Sequence, residues 1–298
     1  MAGDSDDPVD TDQTDAFDIL GHELRLSIVE TLGARQRANS WTPVPMEFEE
    51  LRGAVGSQDS GRFNYHLGKL LGTYLDQTDT GYALTPAGFE VSSAILRGSY
   101  ADVSTDPVEG PIDGDCPTCA ADVTGVYEDG LFRIVCPEHG TVFSNTVPPA
   151  VALGRDIDAI HAAAGRDIRQ MFEQTRDGVC PECSGRIGMT IPAGEPQHDE
   201  PTSEDADSTV SATFECQRCR LVFEAELHWL AFDHPAVVAF YHDHGIDIRS
   251  LHHTGLSDAS HVVVSEEPLR AQVTFHADDE RLEVVLDRKG SVVKTERL

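Results

Sequence analysis

All seven cysteines of this chain lie beyond residue 115, and they fall into short pairs. Cys116-Pro-Thr-Cys119 is followed, after sixteen intervening residues, by Cys136-Pro-Glu-His139. Cys180-Pro-Glu-Cys183 is followed, after thirty-two, by Cys216-Gln-Arg-Cys219. Two ligands three positions apart sit at a tight turn that aims both at one ion, and two such turns complete a tetrahedron. The spacing predicts two zinc ribbons, one Cys₃His and one Cys₄, which together use every cysteine. Disulfides fit poorly, because the count is odd and the pairs stand at metal-ligand spacing. A redox pair fits no better, since no CxxC follows the strand of a βαβ unit. With four protein ligands each, the two zinc ions are expected to stabilise folding rather than activate water.

The surroundings of the pairs agree with ribbons. Apolar Phe132-Arg-Ile134-Val135 precedes Cys136 and Val142-Phe143 follows His139; Thr213-Phe214-Glu215 and Val222-Phe223-Glu224-Ala225 flank the last pair in the same way. A duplication is expected. Cys136 and Cys216 are 80 residues apart, as are Gly165-Arg-Asp-Ile-Arg169 and Gly245-Ile-Asp-Ile-Arg249, and Pro149-Ala-Val151 has a counterpart in Pro235-Ala-Val237. Helices are expected near 155–175 and 235–245. Residues 194–208 are an acidic insertion that reads as disordered. Beyond His252, four alternating or apolar runs (261–265, 269–275, 281–286 and 292–294) predict an antiparallel meander.

The first hundred residues are different in kind. After an acidic tail (1–14) that reads as disordered, Phe17, Ile19, Leu20, Leu24, Ile28, Val29 and Leu32 recur at helical spacing and stop at Gly33. A short helix follows near 48–52. A turn-rich stretch ends at Asp59 or Ser60, either of which suits the N-cap of a third helix over 61–71. Strands around 74–77 and 82–84 are joined by Thr78-Asp79-Thr80-Gly81, and Thr85-Pro86 starts a last helix to about Leu96. Helix, helix, turn, helix, hairpin, helix is the order of a winged helix-turn-helix. In the third helix Phe63, Leu67, Leu70 and Leu71 share an inward face. Arg62, Asn64, Tyr65, His66 and Lys69 are left on the outer face or its flanks. Arginine, asparagine and histidine can read base edges and lysine suits phosphate, whereas in an isolated helix the same face would serve only solubility. Gly81 and Tyr82 stand at the expected wing tip, Tyr82 being equally suited to the core.

The pieces DILGHELRLSIVETL, FEELRGAVG, SGRFNYHLGKLLG and GYALTPAG, in that order over residues 15–98, resemble the ArsR-like winged-helix regulators, in particular those of halophilic archaea. The resemblance implies a DNA-binding transcription factor, often dimeric, whose third helix enters the major groove of double-stranded DNA. Metal-sensing relatives carry thiol ligands in or near the DNA-binding helices. Here no cysteine precedes Cys116, which argues against metal-responsive release through this domain. Residues 110–298 resemble the zinc-containing region that accompanies this winged helix in halophilic archaea.

Charge bears on the same question. Fifty-two acidic against 22 basic residues give a net charge of −30, and only Lys69, Lys289 and Lys294 are lysines. Such a balance ordinarily opposes binding to phosphate. At multi-molar salt, however, screening within about 3 Å removes the self-repulsion, and an acidic surface poor in lysine is the halophilic pattern. Residues 15–100 hold seven basic and eleven acidic side chains, so the segment assigned to DNA is the least acidic part per residue. The acidic start and the lack of a long apolar run predict no signal peptide, no membrane span and a cytoplasmic location. The histidines at 234, 242, 244, 252 and 253 read as solvated or structural. No Walker loop, GxGxxG, GxSxG or HExxH occurs, and no enzyme activity is expected.

The expected class is α+β, multidomain: a tail (1–14), a winged helix-turn-helix (15–100), a ribbon with its helix (112–176), a second ribbon with its helix (177–250) and a β meander (251–298). The expected function is a sequence-specific DNA-binding regulator, as a homodimer. The alternative is an adaptor that binds the transcription machinery with little or no DNA readout.

Overall fold

The structure, a computed structural model, describes residues 12–39, 41–98, 100, 106–192, 211–248 and 259–298. It is a mixed α+β chain with several antiparallel sheets, and it divides into two compact units. One comprises Met1–Thr105 with Pro148–Leu153, the other Asp106–Val147 with Gly154–Leu298. Residues 1–11 of the expected tail, the acidic insertion 194–208, Arg249, His252 and His253 lie outside the described residues.

The first unit opens with α1 (Asp12–Leu20) and α2 (Glu23–Ala38), where the periodicity predicts one helix from Phe17 to Gly33. The break falls at Gly21-His22. His22 is extended, and its Nδ1 accepts a hydrogen bond from the Leu24 N–H at 3.1 Å, capping α2. Helix α1 begins at Asp12, inside the stretch expected to be tail. Nor does Gly33 end α2. A Cβ there would stand 1.9 Å from the Oγ of Ser92 in α5 (Pro86–Arg97), so the glycine marks a close helix–helix contact instead of a stop.

Helix α3 (Phe48–Ala54) precedes α4 (Ser60–Leu70), which is capped by Asp59: its carboxylate accepts from the Arg62 N–H at 3.0 Å. Strands β1 (Leu75–Thr78) and β2 (Gly81–Leu84) pair antiparallel with Thr78 opposite Gly81. Thr85 Oγ1 accepts from the Gly88 N–H at 3.1 Å and starts α5, as the Thr85-Pro86 pair predicts. Ile28, Val29 and Leu32 meet Leu51, Phe63, Leu67, Leu70, Leu75 and Leu84 in one core. Each such side chain contributes about 1.5–3 kcal/mol by leaving water. The short α6 (Pro149–Ala152) belongs to this unit and packs on α5.

Among the described residues the second unit contains three sheets. Strands β3 (Val108–Asp115), β4 (Asp122–Glu128), β5 (Leu131–Cys136) and β6 (Gly140–Thr146) form an antiparallel sheet in sequence order. Helix α7 (Ile157–Arg176) lies on β3, β4 and β5. Its residues Ile157, Ile160 and Ala164 are buried at i, i+3 and i+7, the spacing of one helical face. Strands β7 (Ile187–Thr190), β8 (Ser211–Cys216) and β9 (Val222–Glu226) form the second sheet, followed by a 3-10 turn (Leu227–Leu230) and α8 (Pro235–Asp243). Strands β10 (Ser260–Glu266), β11 (Leu269–Ala277), β12 (Glu280–Asp287) and β13 (Val292–Arg297) make the meander that the alternation predicts.

Residues 177–250 and 251–298, separate in the sequence reading, share one core. Phe172 of α7, Phe214 of β8, Leu227, Phe240 of α8, and Val273 and Phe275 of β11 all belong to it. Trp229 stacks on Phe172 at 4.6 Å, and Arg176 grips Asp233 in a two-pronged ion pair, tying the end of α7 to the 3-10 turn and to the residues that follow it. The expected duplication holds in part. Strands β5 and β8 are equivalent, each ending on the first ligand of a cysteine pair. The pentapeptides are not: Gly165 lies inside α7, whereas Gly245 follows α8 at a φ of 76°.

Candidate functional site

Two ligand clusters stand in the second unit: Cys116, Cys119, Cys136 and His139, and Cys180, Cys183, Cys216 and Cys219. Each pair sits on the same kind of turn. The residue after the second ligand has positive φ in all four: Ala120 (53°), Gly140 (69°), Ser184 (54°) and Arg220 (64°). Only one of these is glycine, so the other three carry a left-handed conformation that costs an L-residue on the order of 1–2 kcal/mol. The turn returns the chain to pair with itself: Ala120 N–H donates to Cys116 C=O at 2.8 Å and Ser184 N–H to Cys180 C=O at 2.9 Å. The N–H groups of Cys116, Cys180 and Cys216 donate to the carbonyls of Ala121, Gly185 and Leu221. Both side chains of each pair therefore point to one side.

The separations suit a four-coordinate ion. Ligands held tetrahedrally at thiolate bond lengths of about 2.3 Å stand roughly 3.8 Å apart, slightly less when one is a ring nitrogen. Cys119 Sγ is 3.7 Å from Cys136 Sγ, Cys180 Sγ is 3.7 Å from Cys219 Sγ, and Cys183 Sγ is 3.6 Å from Cys216 Sγ. His139 Nδ1 lies 3.6 Å from Cys116 Sγ and 3.7 Å from Cys136 Sγ. All seven thiols are free, and these distances far exceed a disulfide bond.

Charge points the same way. Burial opposes a thiolate at Cys116, but the N–H groups of Thr118 and Cys119 and the neighbouring thiols outweigh it and bring the group to about 6. The N–H of Cys219 is foremost in holding Cys216 to about 6. Cys219 accepts the N–H of Leu221, yet burial and three neighbouring sulfurs push it up to about 12. Crowded sulfurs of this kind share few negative charges on their own, and a cation between them lets all four ionise. The donor set and spacing fit a metal ion in both clusters.

On the first unit, α4 presents Arg62, Asn64, Tyr65 and Lys69 on its exposed side, opposite buried Phe63, Leu67 and Leu70. Tyr65 is 59% exposed, and the Lys69 ammonium lies 5.8 Å from its ring centre. Among the described residues neither Arg62 nor Lys69 is paired with a carboxylate.

Two of the expected contact residues are placed otherwise. His66 is 7% exposed and its ring lies 3.9 Å from that of His22, between α4 and the start of α2. It occupies the inward face three residues after Phe63, and Leu71, expected there, is the half-buried C-cap. Burial first, then the positive neighbours His22, Arg25 and Arg62, lowers its pKa. Gly81 is not at the hairpin tip, which is Asp79-Thr80. A Cβ on Gly81 would stand 2.2 Å from Met46 C=O, because Met46 pairs with Tyr82 alongside the hairpin.

A third grouping escaped the sequence reading. Glu226, His228 and His261 offer ligand atoms within 4.8 Å of one another. They come from the end of β9, the 3-10 turn and β10. The one local hint was a histidine inside the apolar run Leu227-His-Trp-Leu230. Of the histidines singled out instead, His234 and His244 have local roles: His234 Nδ1 accepts from Ala236 N–H at 3.2 Å at the start of α8, and His244 Nδ1 bonds Phe240 C=O at 2.8 Å.

Among the described residues no helix is long and apolar enough to cross a membrane. Residues 13–95 match a family described as a domain of unknown function (DUF7347). No curated protein and no solved structure matches the chain. Residues 113–292 match a second family model, and since that match spans more than half of the sequence, the chain belongs to the family described as a domain of unknown function (DUF7351).

Proposed function

We propose that the chain is a sequence-specific DNA-binding transcriptional regulator, with a winged helix over residues 12–98 and two structural zinc ions held by later segments of the sequence. The observation that carries the reading is the exposed side of α4. Arg62, Asn64, Tyr65 and Lys69 project from a helix whose other side is anchored by fully buried Phe63, Leu67 and Leu70. Arginine and asparagine make two-pronged hydrogen bonds to guanine and adenine edges, and a lysine at the end of the same helix suits a phosphate. The helix order, the hairpin between α4 and α5, and Met46 pairing beside it support the winged-helix assignment. A homodimer would present two α4 helices to half-sites one helical turn apart.

Zinc is the metal proposed for both clusters, since tetrahedral Cys₄ and Cys₃His sets with no open position favour it. In that role it closes the cysteine turns and offsets their left-handed residues. A second reading, an adaptor that binds the transcription machinery, is favoured by the net charge of −30. Selection of sheared genomic DNA by the zinc-loaded chain in molar potassium chloride separates the two. A regulator recovers discrete fragments sharing a motif, while an adaptor recovers none.

A further inference from the structure

Outside the two cysteine clusters, the second unit brings a carboxylate and two imidazoles together from segments far apart in sequence. Glu226 ends β9, His228 lies two residues on in the 3-10 turn, and His261 is on β10, the edge strand of the meander. The His228 side chain is 3% exposed, and its Nδ1 lies 3.3 Å from Glu226 Oε2. The imidazoles of His228 and His261 are near parallel, at 18°, with centres 5.5 Å apart. All four ring nitrogens are buried; His228 Nδ1 faces the Glu226 carboxylate, while His228 Nε2 and both nitrogens of His261 have no hydrogen-bond partner among the described residues. A buried polar atom without a partner costs about 1–3 kcal/mol. An apolar pocket with a structural histidine would bond at least one nitrogen to a backbone carbonyl, as His244 does to Phe240.

The geometry points to a third metal site, for a divalent first-row transition ion, ligated by Glu226, His228 and His261. Ligand atoms of a four-coordinate ion with bonds of about 2.0–2.1 Å stand roughly 3.4 Å apart. The Glu226–His228 separation of 3.3 Å already meets this, and the full set lies within 4.8 Å, a span that a rotation of the half-exposed Glu226 carboxylate or of His261 closes. Two imidazoles and one carboxylate select transition metals over calcium or magnesium. The site differs from the cysteine clusters in two ways. It has no thiolate, so it binds more weakly and exchanges faster. It also has three protein ligands, with Glu226 46% exposed, which leaves a coordination position facing solvent. Occupancy would fasten edge strand β10 to the turn after β9, coupling metal supply to the stability of the meander.

The test is a metal count on the full chain after equilibrium dialysis against micromolar zinc, with and without a prior wash in a weak chelator. The washed protein gives the baseline of tightly held ions, which tests the cysteine clusters, and the increment tests this site. One additional equivalent is expected in the wild type. Glu226→Gln and His261→Gln should each weaken that equivalent at least about tenfold and leave the baseline unchanged. Glu226 is half-exposed, so its variant retains the fold even where a histidine variant does not. Cobalt(II) added to the zinc-loaded chain should bind without thiolate-to-metal charge-transfer absorption. No increment in the wild type, an increment unaffected by Glu226→Gln, or cobalt bands of thiolate character would each overturn the assignment.

Discussion

Replacing Gly33 by alanine should reverse the usual sign of such a change. In a helix interior the substitution ordinarily gains about 1 kcal/mol, because glycine loses more backbone freedom on folding. Here the added Cβ would stand 1.9 Å from Ser92 Oγ, 2.7 Å from Ser92 Cβ and 3.2 Å from Arg37 Nη1. Ser92 is fully buried, and its hydroxyl accepts from Arg37 Nη1 at 2.9 Å, so it cannot turn away without breaking that bond. Helices α2 and α5 must part by on the order of 1 Å. Overpacking of this kind costs about 1–3 kcal/mol, and the strained hydrogen bond adds roughly 1. After the propensity gain, a net loss of about 1–3 kcal/mol remains, or roughly 4–24 °C in melting temperature for a unit of this size. Thermal unfolding at fixed salt, followed by helical circular dichroism with hydrogen exchange on α2 and α5 peptides, reads it directly. Because Ser92→Gly removes the obstructing side chain, Gly33→Ala/Ser92→Gly should lose less stability than the two single changes added together. A single variant that melts above the wild type would show that α2 and α5 do not approach as described.

Three further outcomes follow from the geometry. The pKa of buried His66 is lowered from its ordinary 6.5, so the stability of its neutral ring is fully present above about pH 6.5 and is lost as pH falls through the lower folded value. Its neighbours His22, Arg25 and Arg62 are basic and add to that loss; His66→Gln should flatten this part of the stability–pH curve, and an unchanged slope would exclude His66 as its source. Cys216 is fully buried in the core that includes the meander, so Cys216→Ala should deprotect β10–β13 in hydrogen exchange along with β7–β9. Cys119→Ala, at the exposed edge of the other cluster, should leave β10–β13 protected; equal protection in both variants would contradict the shared core. Arg176→Ala should cost about 1–2 kcal/mol, since it removes a two-pronged pair that is only partly open to solvent, and a loss below about 0.3 would mean the pair is largely screened.

What the sequence disclosed depended on the range of each signal. Ligand pairs three apart, the Asp59 and Thr85 caps and the alternating runs of the meander are local, and the structure has them where they were expected. Long-range contacts were hidden. Gly33 looks like a helix stop unless Ser92 is known to face it. His66 reads as an outward polar residue because periodicity assigns faces by residue type, and a stacked histidine partner such as His22 is invisible to it. Strand β3 carries Gly110, Pro111 and Gly114 within eight residues and has a weak strand signature; it exists because β4 pairs with it and α7 covers it. The Glu226–His228–His261 grouping required two sheets to be placed together. The matching pentapeptides at 165 and 245 show the converse: a repeat in letters need not be one in structure.

The most direct test of the DNA-reading claim is the specificity ratio of α4 variants on a fragment recovered by selection. Affinities for that fragment and for a scrambled one would be compared in molar potassium chloride. Arg62→Ala/Asn64→Ala should lower specific affinity by about thirty- to ten-thousandfold and leave the scrambled fragment little changed, as expected from roughly 1–3 kcal/mol for each of two base contacts. Lys69→Ala should weaken both fragments alike. A ratio unchanged in Arg62→Ala/Asn64→Ala would contradict base reading by α4 and favour the adaptor.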